Sequence, residues 1–138
     1  MADGPNSLTD GVRGTDNVGK YWHGFSGEDL IATIDLGNEE NIHEISIGCL
    51  QHYRDWIMMP QWVKFEVSDD GNNFREIKTA RNDVALNESS AIKDFTAEFP
   101  EQKARYIRIT AKVLDALPKG HPGEGKPAWI FADEIIVN

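Results

Sequence analysis

A period of two constrains this chain more than any other feature. Apolar residues alternate with polar ones in at least six segments, and no window of 11 or more residues repeats apolar positions at helical spacing. Ala32, Ile34 and Leu36 alternate with Thr33 and Asp35 until the Gly37-Asn38 pair, and Ile45, Ile47 and Cys49 alternate with Glu44, Ser46 and Gly48. Val63, Phe65 and Val67 run into Asp69-Asp70-Gly71-Asn72, a hairpin signal because Asp, Asn and Gly tolerate positive φ, and Phe74 and Ile77 begin the return strand. Phe95, Ala97 and Phe99 precede Pro100; Ile107, Ile109, Ala111 and Val113 alternate with Arg108, Thr110 and Lys112; a last strand covers about Trp129 to Val137. One wet and one buried face per strand predict an all-β antiparallel sandwich.

The 138 residues fit one domain, 1–138, with one core. A 40% hydrophobic, 27% charged composition excludes disorder. The net charge of −9 argues against nucleic acid and anionic membrane, which both call for basic patches, though acidity often serves only solubility. Cys49 is alone, so no intrachain disulfide can form and a buried small hydrophobe is expected. Neither an apolar run of about 20 residues nor a charged-then-apolar leader is seen, and Met1 opens directly on a loop-like stretch, so a piece of a longer protein is expected. Loops are predicted at 1–28, 50–61, 79–91 and 114–128, long enough to suggest function.

Two segments carry chemistry. Within Ser7 to Thr15, Asp10, Thr15 and the backbone carbonyls crowd hard oxygen donors into one turn, which suits calcium; the plain alternative is an Asx turn at Asp10. Gln51-His52-Tyr53-Arg54-Asp55-Trp56 joins aromatic rings to hydrogen-bonding side chains. A sugar, with its apolar C–H face and hydroxyl rim, needs that combination. Against this, Trp22, Trp56 and Trp129 can equally pack beneath loops, and Arg54 can pair with Asp55. The Gly- and Pro-rich loop Leu117 to Pro127 either closes over the same end or is an inert connection. Catalysis lacks support: His23, His43, His52 and His121 are scattered, and Ser89-Ser90 has no nucleophile-elbow context. Asn87-Glu88-Ser89 matches a glycosylation acceptor, a short pattern common by chance.

Taken in order, Asp10-Gly11, Trp22, Ile34-Asp35-Leu36-Gly37, Ile42 to Ile47, Ser68-Asp69-Asp70-Gly71-Asn72, Ala104-Arg105-Tyr106-Ile107-Arg108-Ile109 and Asp133-Glu134-Ile135 resemble the discoidin, or coagulation factor 5/8 type C, family along nearly the whole chain. The resemblance implies a jelly-roll sandwich with neighbouring termini and ligand loops at one end. It implies that Arg105 or Arg108 pairs with an acidic residue across the sheet and that Tyr106 fills the core. Among relatives, the first loop is similar to the calcium loop of family 32 carbohydrate-binding modules. A structural Ca2+ would then be held by the Ser7 carbonyl, Asp10, Val12, Thr15, the Asp133 carbonyl and the Glu134 side chain. Val12 departs from the family's Asn and offers only its backbone oxygen.

The nearest counterparts of the family's ligand residues are His52, Tyr53, Arg54 and Trp56, with Trp22 and His23. The implied function is a non-catalytic module for galactose or N-acetylhexosamine glycans, monomeric in isolation. It would be attached to the catalytic domain of an extracellular, periplasmic or cell-surface hexosaminidase or galactosidase. Two alternatives stand: a structural domain that docks on its parent enzyme, and a membrane binder using Trp56-Ile57-Met58-Met59-Pro60 as an exposed apolar spike, against which the charge argues.

Overall fold

The computed structural model describes residues 23–138, with side chains from residue 27 onward. Its strands are β1 (His23–Ser26), β2 (Leu30–His52), β3 (Trp62–Ser68), β4 (Arg75–Arg81), β5 (Ser90–Ala111) and β6 (Trp129–Val137). They hydrogen-bond in the order β1-β6-β2-β5-β3-β4, every pair antiparallel. Among the described residues, helical structure is confined to one 3-10 turn, Tyr53–Asp55.

The sandwich arises because β2 and β5 each belong to both layers. The first half of β2 pairs with the second half of β5, which also carries β3; the second half of β2 pairs with the first half of β5 and with β6. Residues 32–36 and 45–49, read from sequence as separate strands, are therefore one 23-residue strand. The turn signals mark corners rather than ends. Register shifts fall between Asp35 and Glu40 and between Ile42 and Glu44 of β2, with Gly37 at φ 87° in the first. Opposite the second, β5 moves from Gln102 to Glu98 in pairing, so Pro100 lies in the bulge, where its missing N–H costs the ladder nothing.

Between the layers, Ile45, Ile47, Phe95 and Ala97 meet Val63, Phe65, Ile107 and Ile109 in one core, none more than 1% exposed. Burying each large member contributes about 1.5–3 kcal/mol over leaving it in water. Cys49 is fully buried among them, and burial pushes its thiol well above the ordinary range, as an inert hydrophobe requires.

Of Arg105 and Arg108, either of which is expected to pair with an acidic residue, both do. Arg105 meets Asp35 through Nε at 2.8 Å and Nη2 at 3.0 Å, and Arg108 meets Glu66 at 3.0 and 3.1 Å. Tyr106 does not fill the core. Ile107 takes the inward position, so Tyr106 faces out and lies over the β3–β4 hairpin, where a Cβ at Gly71 would come within 3.2 Å of its ring.

Candidate functional site

Four connections leave the sandwich at one end: 27–29, 53–61, 82–89 and 112–128. The register places them together, with His52 opposite Ser90, Ser26 opposite Trp129, Leu30 opposite Ala111 and Trp62 opposite Arg81. The first three are shorter than the sequence predicts, because residues 23–26, 50–52, 79–81 and 90–91 extend strands, whereas the fourth begins earlier than predicted because β5 ends at Ala111. His23 is accordingly in β1, paired with Ala132, instead of in an open loop; its side chain lies outside the description, and Trp22 lies outside the described residues altogether.

The segment after β2 reverses through the 3-10 turn. His52 N–H donates to Ile57 O at 2.8 Å, and Ile57 N–H returns to His52 O at 3.3 Å. Trp56 closes the turn at φ 66°, a left-handed conformation that costs a bulky residue about 1–2 kcal/mol. Bonds on both sides hold it there: its N–H donates to Tyr53 O at 3.2 Å, and its carbonyl accepts Trp129 N–H at 2.8 Å.

Of the predicted ligand residues, the turn brings His52, Tyr53, Arg54 and Trp56 to the loop end in different environments. Arg54 is exposed, without an ion-pair partner among the described residues. Asp55 pairs with His52 instead, Oδ2 lying 2.6 Å from Nδ1, a contact too poorly angled to be an aligned hydrogen bond. Tyr53 is half-buried against the core, and Trp56 is 37% exposed. Ile57, Met58, Met59 and Pro60 are all buried, so the run is no apolar spike. Trp129 packs on Phe131 with Leu50 and Ile57, in line with the packing alternative for it.

Loop 112–128 is not inert. His121, 4% exposed, stands edge-on to the Tyr53 ring at 4.3 Å between centroids and to Trp56 at 6.5 Å. Gly123 lies against the indole so closely that a Cβ there would meet Trp56 Cε2 and Leu117 Cδ1 at 2.8 Å. Gln51, fully buried, fastens a third loop: Nε2 donates to Ala85 O and Glu88 O, both at 2.9 Å, and Oε1 accepts Met59 N–H at 3.3 Å. Sequence reasoning missed Gln51 and His121 as organisers, since their partners are far along the chain and leave no local pattern.

For the predicted cation site, Ser7, Asp10, Val12 and Thr15 lie outside the described residues. Asp133 and Glu134 lie on β6 just beyond Ala132, the partner of His23, where the described chain begins. Both are buried, at 1% and 9% exposure. The Asp133 side chain accepts the Glu134 N–H. Among the described residues, no third Asp, Glu, His or Cys completes a metal cluster with them. A buried carboxylate in this position is a hard donor that fits calcium.

Residues 2–118 match a family profile described as the F5/8 type C domain. No curated protein sequence matches the chain. Among solved structures, a GH29 fucosidase from Ruminococcus gnavus in complex with fucose superposes with a TM-score of 0.61 at 18% identity, over 96% of this chain and 21% of that one, so the chain spans about a fifth of the fucosidase. A CBM32 module from a family 31 glycoside hydrolase of Clostridium perfringens gives 0.57 at 16% identity, over 98% of this chain and 84% of that one. The module CBM32-5 of a Clostridium perfringens GH89 protein, in complex with GalNAc-β-1,3-galactose, gives 0.50 at 22% identity, over 88% and 79%. At these identities the likeness is one of fold.

Proposed function

Because this chain belongs to the F5/8 type C domain family, we propose that residues 1–138 are one non-catalytic carbohydrate-binding module that takes galactose or N-acetylhexosamine at the loop end. The observation that carries this reading is an exposed guanidinium, Arg54, free of ion pairs among the described residues, one turn from the half-exposed, conformationally held indole of Trp56. Arg54 and His52 supply directional polar groups and Trp56 an apolar face, the combination a pyranose ring calls for. The Clostridium perfringens module of the same fold, solved with GalNAc-β-1,3-galactose, supports the choice of sugar.

In this reading the module belongs to a larger exported glycoside hydrolase and holds that enzyme on its glycan, where the tether supplies effective concentration. A structural calcium would be held by Glu134 and the Asp133 carbonyl with Ser7, Asp10, Val12 and Thr15, tying the first loop to the last strand. Calorimetry of the intact chain with galactose, N-acetylgalactosamine and N-acetylglucosamine tests the reading. Binding that Arg54→Ala abolishes is expected, and no heat with any of the three would sink it.

A further inference from the structure

A cleft of about 390 Å3 opens at the same end of the sandwich, built from residues other than the 52–56 segment. Its walls are the short 27–29 connection and both limbs of loop 112–128, including Gly27, Asp29, Lys112, Asp115, Gly125 and Pro127. Glycine shapes it. Gly27 at φ 65° packs against Pro127, where a Cβ would stand 3.1 Å from the proline Cβ, while a Cβ at Gly125, φ 82°, would meet nothing within 4 Å. Gly27 lets the 27–29 connection approach Pro127 closely, and the space beside Gly125 is open.

The polar groups of the cleft are organised. Asp29 Oδ1 accepts Val113 N–H at 3.0 Å, which fixes the carboxylate, and Lys112 Nζ stands 3.5 Å from the same oxygen. Both side chains remain about a third exposed, and Asp115 is exposed on the rim. An acceptor and a donor so close together suit a vicinal diol, one hydroxyl donating to the carboxylate and its neighbour accepting from the ammonium. Among the described residues the lining sets two carboxylates against one ammonium, which disfavours anions, and includes no aromatic ring, so recognition by these residues rests on hydroxyls rather than stacking.

We infer that this cleft is a second saccharide site, separate from the Arg54–Trp56 turn, which takes a neutral sugar through a vicinal hydroxyl pair held by Asp29 and Lys112. The inference rests on the module's being a glycan binder, and its test separates the two. Amide chemical shifts of the intact chain are followed during titration with methyl β-galactoside, and again with sodium galacturonate.

The expected result is a saturable set of shifts at residues 112–115 and 125 that survives in Arg54→Ala. In Lys112→Met those shifts should need about tenfold more sugar, the loss expected for one charged hydrogen bond. The Lys112 backbone N–H bond to Trp62 O at 2.9 Å is untouched by that change, and an unaltered spectrum elsewhere confirms the fold. Galacturonate should leave the cleft residues unmoved. Shifts confined to residues 52–56 would overturn the second site and leave the glycan reading standing. Equal response to galacturonate would overturn the charge selection, and no shift anywhere would take the glycan reading down as well.

Discussion

His121 joins its own loop to the turn carrying Tyr53, 68 residues earlier: Nε2 lies 2.6 Å from the Tyr53 carbonyl, while Nδ1 accepts the Gly123 N–H at 2.8 Å. Since Nδ1 accepts, the proton is on Nε2 and is donated to Tyr53. One imidazole thereby fixes the turn that presents Arg54 and Trp56, and also the glycine that lies beneath Trp56.

His121→Ala removes both bonds, leaving the buried Gly123 N–H without its acceptor and the Tyr53 carbonyl with only the Trp56 N–H. Stability should fall by about 2 kcal/mol in denaturant titration. The Gly123 amide should also exchange with solvent far faster. A Gly123 amide as protected as before would show that the imidazole does not hold the loop.

Gly123→Ala tests the contact from the other side. Gly123 has no positive φ, so the effect is steric alone, and a methyl group 2.8 Å from Trp56 and Leu117 forces one of them to move. Overpacking of this kind costs about 1–3 kcal/mol. Sugar binding should weaken together with stability, because the indole is displaced. A variant as stable as the parent, with undiminished binding heat, would mean the loop yields freely.

Strand content was legible because alternation is written residue by residue. What alternation could not give was continuity: Gly37-Asn38 and Pro100 carry strong turn signals, yet each lies at a corner inside a strand, where a bulge tolerates what a ladder would not. The arrangement of the candidate site was legible in part for a similar reason. Arg54 and Trp56 lie in one short segment of the sequence, with only Asp55 between them, so their place at a loop end could be read. The Tyr53–His121, Trp56–Gly123 and Asp29–Lys112 contacts join positions brought together only by the fold. Tyr106 was misassigned because its neighbour Ile107 holds the inward register.

Acid should unfold the domain through a shared cause. The Arg108 guanidinium bonded to Glu66 holds that carboxyl below its ordinary range, and Arg105 does the same for Asp35. Asp70 is lowered further, by the backbone N–H groups of Asn73 and Asn72 and then by the Asn73 and Ser68 side chains. Folded values below unfolded ones mean stability that is fully present above the unfolded pKa and is lost as pH falls through the folded one. Melting temperature should therefore be flat near neutrality and drop below about pH 4. Glu66→Gln should flatten part of that drop, and an unchanged acid limb would exclude the Glu66–Arg108 pair as a contributor.

The proposed calcium makes stability depend on free metal. Calcium at a hundredfold over its Kd adds about 2.7 kcal/mol, which a chelator removes. Glu134→Gln keeps the shape of the side chain and one acceptor oxygen but removes the charge and so weakens the ion's hold. The melting temperature should therefore fall with chelator in the parent and respond little in the variant. A parent indifferent to chelator would remove calcium from the account.

Gln51 offers the sharpest test of how the loop end is assembled, because its amide is fully buried and used at both atoms. In Gln51→Glu the shape is kept, but an oxygen replaces the nitrogen that faces the Ala85 and Glu88 carbonyls. An ionised carboxylate would there oppose two carbonyl oxygens, whereas a protonated one restores a single bond. The substitution should cost about 2–3 kcal/mol at neutral pH. The introduced carboxyl has its folded pKa raised, so the loss should shrink as pH falls through that value, opposite in sign to the acid response of the parent. The Tyr53 amide, which donates to Ser89 O at 3.1 Å, should exchange faster as loop 82–89 loosens. If the Gln51→Glu deficit did not narrow on mild acidification, the amide would not be what binds that loop to the Tyr53–Asp55 turn.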